Sequence, residues 1–214
     1  MGATMTMNRV IHGAVRRDLS RLESALSDFP AGDREAATRA AALQRAYRFL
    51  RAELTRHHEN EDTWVWPMLA SFDVDATLLE AMESEHHAMS AALASVSDAL
   101  DRLVDTTTPE AAAAARASVT DAREVVDQHL THEENELEPR LVPLLETAEW
   151  HAVEKNLRKA PPRVAGEFFA WLQDGMEPDH RSFLRSTVPP PVTFVLGRVF
   201  GRRYHREVAP VWQA

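Results

Sequence analysis

The sequence predicts an all-α protein: an antiparallel up-and-down four-helix bundle followed by a helical extension. Three observations lead there. Residues 7 to about 148 are rich in Ala, Leu, Glu and Arg and nearly free of glycine, their apolar residues recur in steps of three and four, and four such stripes are parted by short polar or proline-containing breaks. Of the 214 residues, 44% are apolar and 27% charged, a globular balance that excludes disorder along the whole length.

The first stripe, Ile11, Val15, Leu19, Leu22 and Leu26, makes one apolar helix face and stops near Asp28 to Asp33. The second reads Leu43, Tyr47, Leu50, Leu54, then positions 57, 61, 65 and Met68, with Pro67 and Ser71 to Asp73 closing it. The third runs Leu79, Met82, position 86, Met89, Leu93, Val96, Leu100 and Leu103, and ends at Asp105 to Pro109. The fourth runs Val119, Ala122, Val126, positions 129 and 133, Leu137, Leu141 and Leu144, with Pro139 and Pro143 set to bend its end. Beyond Thr147 the texture changes. Thr147 is placed to cap a helix to about Lys159, Arg163 to Asp174 reads as helix stopped by Gly175, and Pro189 to Pro191 precede a last segment with Phe194, Val195, Val199 and Phe200 on one side and Arg198, Arg202, Arg203 and Arg206 on others. The predicted division is a bundle over 1–148 and an extension over 149–214 packed on it, with Trp150, Phe168, Phe169 and Trp171 covering bundle surface.

Composition removes several function classes. Cysteine is absent, which excludes disulfides, thiolate metal sites and cysteine nucleophiles, so any metal must be held by nitrogen and oxygen. The seven glycines are not spaced as a phosphate-binding loop or a serine nucleophile elbow requires. A net charge of −9 disfavours nucleic acid and anionic membranes as partners. With no signal-like start and no apolar run of spanning length, a soluble cytoplasmic protein is expected.

The gaps in the apolar stripes carry the chemistry. They are His57 and Glu61 in the second helix, His86 in the third, His129 and Glu133 in the fourth, and His12 beside the first stripe. Residues i and i+4 share a helix face, so each His-x-x-x-Glu points an imidazole and a carboxylate at one place. A buried carboxylate without a partner costs several kcal/mol, so a cation is implied. Counted from a turn near residue 106, His86 and His129 lie at similar levels, 20 and 23 residues away. Around position 31, His12 and His57 match less well, at 19 and 26 residues, so part of 27–38 lies outside the bundle or His12 is not a ligand. His58, His87 and His132 sit one step off the stripes and read as surface or boundary residues, with hydrogen bonding to ligands the alternative role for His58 and His132 and extra metal ligation by either left open. Glu59, Asp62, Glu85 and Glu134 read as solvated charges, and His151, His180 and His205 receive no site. Six ligands exceed one tetrahedral zinc and suit two metals about 3.5–4 Å apart. Imidazole and carboxylate donors favour iron, with manganese and zinc behind it.

His12, then His57-His58-Glu59-Asn60-Glu61-Asp62 running into Trp66-Pro67, then Glu85-His86, then His129-Leu130-Thr131-His132-Glu133-Glu134 running to Pro139, resemble the hemerythrin-like HHE cation-binding domain in its H-HxxxE-H-HxxxE form. The extension resembles a tail appended to this domain in actinobacterial proteins. The resemblance implies a non-haem di-iron centre with His12, His57, His86 and His129 as terminal ligands and Glu61 and Glu133 as bridges. Oxygen-carrying members have a second histidine four residues after the third-helix ligand, where this chain has Ser90. Ser90 is therefore expected to face the pocket and leave a coordination position open, in a dry cavity walled by Trp64, Met82, Met89 and Val126. The function implied is binding of, or reaction with, oxygen, peroxide or nitric oxide, with peroxide decomposition a candidate activity. The alternative is a non-enzymatic module that stores or senses iron and meets a protein partner through 149–214.

Overall fold

In the computed structural model, residues 4–30 and 33–213 are described, and they contain helices and connections but no strand. α1 (Met7–Ser27) begins where the Thr6 hydroxyl accepts the Arg9 N–H at 3.2 Å, which satisfies one of the free amides of the first turn. α2 (Asp33–Asn60) leads through a wide turn into α3 (Trp66–Ala70). α4 (Ala76–Thr106) starts on the Asp75 carboxylate, which accepts from Thr77, and ends at Thr107, whose φ of 53° turns the chain out of the helix. α5 (Pro109–His132) follows the Thr108 cap, with proline in the first turn where no amide partner is lost, and leads through a second wide turn into α6 (Glu138–Leu141).

Each long helix touches two others: α1 lies against α2 and α5, and α4 against α2 and α5. That ring of neighbours is the four-helix bundle, and Leu19, Leu22, Leu43, Leu50, Leu100 and Val119 fill its axis with no measurable exposure beyond 1%. The uneven counts around position 31 have a physical cause. His12 stands 15 residues before Ser27, while His57 stands 24 after Asp33, so α2 overhangs α1 by about nine residues. The overhang is covered by the end of the chain: Arg39 donates to the Val211 carbonyl at 2.7 Å and Arg45 to that of Glu207 at 3.1 Å.

The extension contains α7 (Ala148–Leu157), α8 (Pro162–Gln173), α9 (Pro178–Thr187), α10 (Pro190–Val195) and α11 (Arg202–Glu207). Thr147 caps α7, and Gly175 supplies the left-handed stop after α8 at φ 69°. Sequence periodicity did not mark α9, a ten-residue helix with a single fully buried apolar residue, Leu184. α8 docks on α1 through Trp171, which is fully buried and donates Nε1–H to Asp18 Oδ2 at 2.8 Å. Asp18 is buried too, and Arg17 (2.9 Å) and Arg21 (3.2 Å) share its other oxygen. Trp171, Leu172, Tyr204 and Val211 belong to the same apolar cluster as the bundle leucines, while Trp150 packs with Trp66, Leu69 and Leu137 in a smaller one. Among the described residues no helix is long and apolar enough to cross a membrane.

Candidate metal centre

Two wide turns build the site. Pro67 and Pro139 have no amide hydrogen, and a proline ring crowds the carbonyl four residues earlier. Ahead of each proline the helix opens to a π turn, Glu61–Val65 and Glu133–Leu137, closed by the Trp66 N–H on the Glu61 carbonyl and the Glu138 N–H on that of Glu133. Each motif glutamate is the first residue of its wide turn, six positions before its proline. The repeated spacing was visible in the sequence; the π turn it produces was not.

The structure brings His12, His57, Glu61, His86, His129 and Glu133 into one buried layer between the four helices. His57 Nε2 lies 3.4 Å from His12 Nε2 and 3.2 Å from Glu61 Oε1. The other Glu61 oxygen is 3.6 Å from His86 Nε2. Glu133 Oε2 is 3.2 Å from His12 Nε2 and 4.0 Å from His129 Nε2, while its Oε1 accepts from Asn8 Nδ2 at 2.9 Å. Both carboxylates thus span ligand sets on different helices. Ligand atoms of His12, His57 and Glu133 gather within 4.8 Å, as do those of His58, His86 and His129. Buried and without a hydrogen-bond partner are Glu61 Oε2, Glu133 Oε2 and the Nε2 atoms of His58, His86 and His129. Polar atoms are rarely left this way, since each costs about 1–3 kcal/mol, and convergence of five marks a place that a cation fits.

Behind the imidazoles stands a layer of carboxylates. His12 Nδ1 is 2.8 Å from Glu134, His86 Nδ1 2.9 Å from Asp62, and His129 Nδ1 2.9 Å from Glu85, whose other oxygen is 2.8 Å from His132 Nδ1. An Nδ1–H held this way leaves Nε2 as the lone-pair donor toward the layer. Asp62, Glu85 and Glu134, read from the sequence as solvated charges, are therefore hydrogen-bonded to candidate ligands, and only Glu59 of that group remains simply exposed.

Charge within the layer is divided unevenly. Burial, reinforced by the neighbouring Glu133 charge, holds the Glu61 carboxyl well above the ordinary range. Burial alone would also raise Glu133, but His12 and the other imidazoles outweigh it and keep that carboxyl low. His12 would be lowered by burial, yet Glu133 and Glu134 raise it. Burial pushes His57 down to about 3 and His129 in the same direction.

Three expectations are corrected. Ser90 is exposed to solvent and does not face the layer, because α4 turns its neighbour Met89 inward. Trp64 is 39% exposed and walls nothing, since the π turn rotates the following residues; Trp66 is buried instead and stacks on His86 with ring centres 5.9 Å apart. His58 is buried at 8% exposure, not a boundary residue, and its ring stacks on His86 at 4.1 Å. His87 is exposed, His151 and His205 lie on the surface, and His180 abuts Gly13. Asn8 was missed, having no periodic signal outside the stripes.

The family model for the hemerythrin HHE cation binding domain matches residues 8–141. No curated protein and no solved structure shows a significant match.

Proposed function

Because the chain belongs to the hemerythrin HHE cation-binding domain family, we propose that it is a non-haem di-iron protein that binds or reacts with a small ligand such as oxygen, peroxide or nitric oxide. The observation that carries this reading is the convergence of orphaned imidazole nitrogens and carboxylate oxygens in a buried layer. His12 and His57 would hold one metal and His86 and His129 the other, with Glu61 and Glu133 lying within reach of both sets. Nitrogen and oxygen donors without thiolate suit iron. Two irons held there would supply Lewis acidity and electrons to a small ligand. The protein's part is to fix tautomers through Glu134, Asp62 and Glu85, to hold Glu133 through Asn8, and to exclude bulk water with Met82, Met89 and Val126, all at or below 1% exposure.

Metal analysis of the full-length protein should give about two irons per chain, and addition of peroxide should change the ferric absorption over many turnovers. One observation favours a second, non-enzymatic reading, in which the chain senses or stores iron and reports it to a protein partner: Phe194, Val195, Val199 and Phe200 are 40–66% exposed in the extension. Stoichiometric binding without turnover selects that reading.

A further inference from the structure

We propose that His58 is a metal ligand, supplying a third imidazole to the metal held by His86 and His129. The inference rests on the di-iron reading and sharpens it, because it makes the two metal positions chemically different.

His58 leaves α2 one residue after His57, so its ring points about 100° around the helix from that of His57. It lands between the two ligand sets, 5.5 Å from the His57 ring and nearest to His86, and a nitrogen of it also lies within reach of His57 and Glu61. Its ring centre is 4.1 Å from that of His86 and 5.5 Å from that of His129, and one nitrogen of each of the three lies within 4.8 Å of the others. Three features separate His58 from an ordinary packed histidine. The ring is more than nine-tenths buried, its Nε2 has no hydrogen-bond partner, and the Nε2 atoms of His86 and His129 are orphaned beside it. Nothing in the protein satisfies these three nitrogens, whereas one cation satisfies all of them.

Position 90 cannot supply this nitrogen, because it is a serine and exposed on α4. The donor comes from α2 instead. Counting shared carboxylates for both, the metal at His58, His86 and His129 has five protein donors, and the metal at His12 and His57 has four. Exogenous ligands should accordingly enter on the His12 and His57 side.

The test uses the full-length protein loaded anaerobically with 57Fe(II), compared with His58→Gln and His58→Ala. The wild type should give two distinct Mössbauer doublets. Each variant should lose one iron or shift one doublet and leave the other unchanged, and free imidazole should restore the wild-type pattern in His58→Ala. A second readout needs no variant: the dicobalt(II) wild type should show hyperfine-shifted ring resonances from five imidazoles. Variants that keep two irons and both doublets, or a wild type with four shifted imidazoles, overturn the inference alone. A wild type that holds no pair of metals overturns the di-iron reading itself.

Discussion

His12 Nδ1 sits 2.8 Å from Glu134 Oε1, the same oxygen that accepts Arg16 Nη1–H at 2.6 Å. Arg16 fixes the carboxylate, the carboxylate fixes the ring, and the ring's free nitrogen points into the metal layer. The chain of contacts joins α1 to the residue directly after Glu133, so one helix turn near the N-terminus orients ligands from two helices. Replacing the carboxylate should therefore weaken metal binding without removing a ligand. Glu134→Ala is expected to raise the metal Kd by about 10–100-fold, measured by competition with a chromophoric chelator. An unchanged Kd would show that Glu134 does not support His12.

Removing a ligand should cost more. His57→Ala and Glu133→Ala should each lose at least half of the bound metal, whereas His87→Ala, whose side chain is exposed on α4, should keep it. Metal analysis after gel filtration distinguishes them, and equal loss in all three contradicts the ligand assignment.

Protons should leave as metal enters. In the metal-free protein Glu61 is raised by burial and by Glu133, and His12 is raised by Glu133 and Glu134 against the effect of burial. A raised pKa means that each group still carries its proton at pH values where it would ordinarily have lost it, and a metal must displace that proton. Affinity should thus rise with pH until both groups are deprotonated in the free protein, then level off. Calorimetric titration in buffers of different ionisation enthalpy measures the release; a heat independent of buffer would refute it.

Trp171 ties the extension to the bundle by volume and by a hydrogen bond, and the two can be separated. Trp171→Ala should cost about 3–5 kcal/mol of stability through the cavity it leaves. Trp171→Phe retains most of the ring but leaves Asp18 Oδ2 without its donor, at about 1–3 kcal/mol. Denaturant unfolding gives both values; a Trp171→Phe protein as stable as the parent would mean that the indole N–H contributes nothing.

The bundle was legible because residues such as Val15, Leu19, Leu22 and Leu26 recur at helical period, and the layer because His57, Glu61, His129 and Glu133 interrupt that period in pairs. What periodicity missed has two physical origins. A wide turn adds a residue and rotates everything after it, which is why Trp66 and not Trp64 faces inward. Contacts between helices leave no trace in the spacing of either one. Glu85 and His129 are 44 positions apart, and nothing about Glu85 on its own helix announces a partner. His58 was misjudged for a related reason: one step off a stripe is outside when a helix has one buried face, and inside when it borders a layer open on two sides.

The polar layer occupies only one end of the bundle. The other end is closed by Leu22, Leu26, Leu43, Ala99, Leu103 and Ala112, none more than 3% exposed and none dependent on a cation. Without a bound cation the apolar half should still hold the four helices together, so that loading becomes the filling of a prepared place and not folding anew.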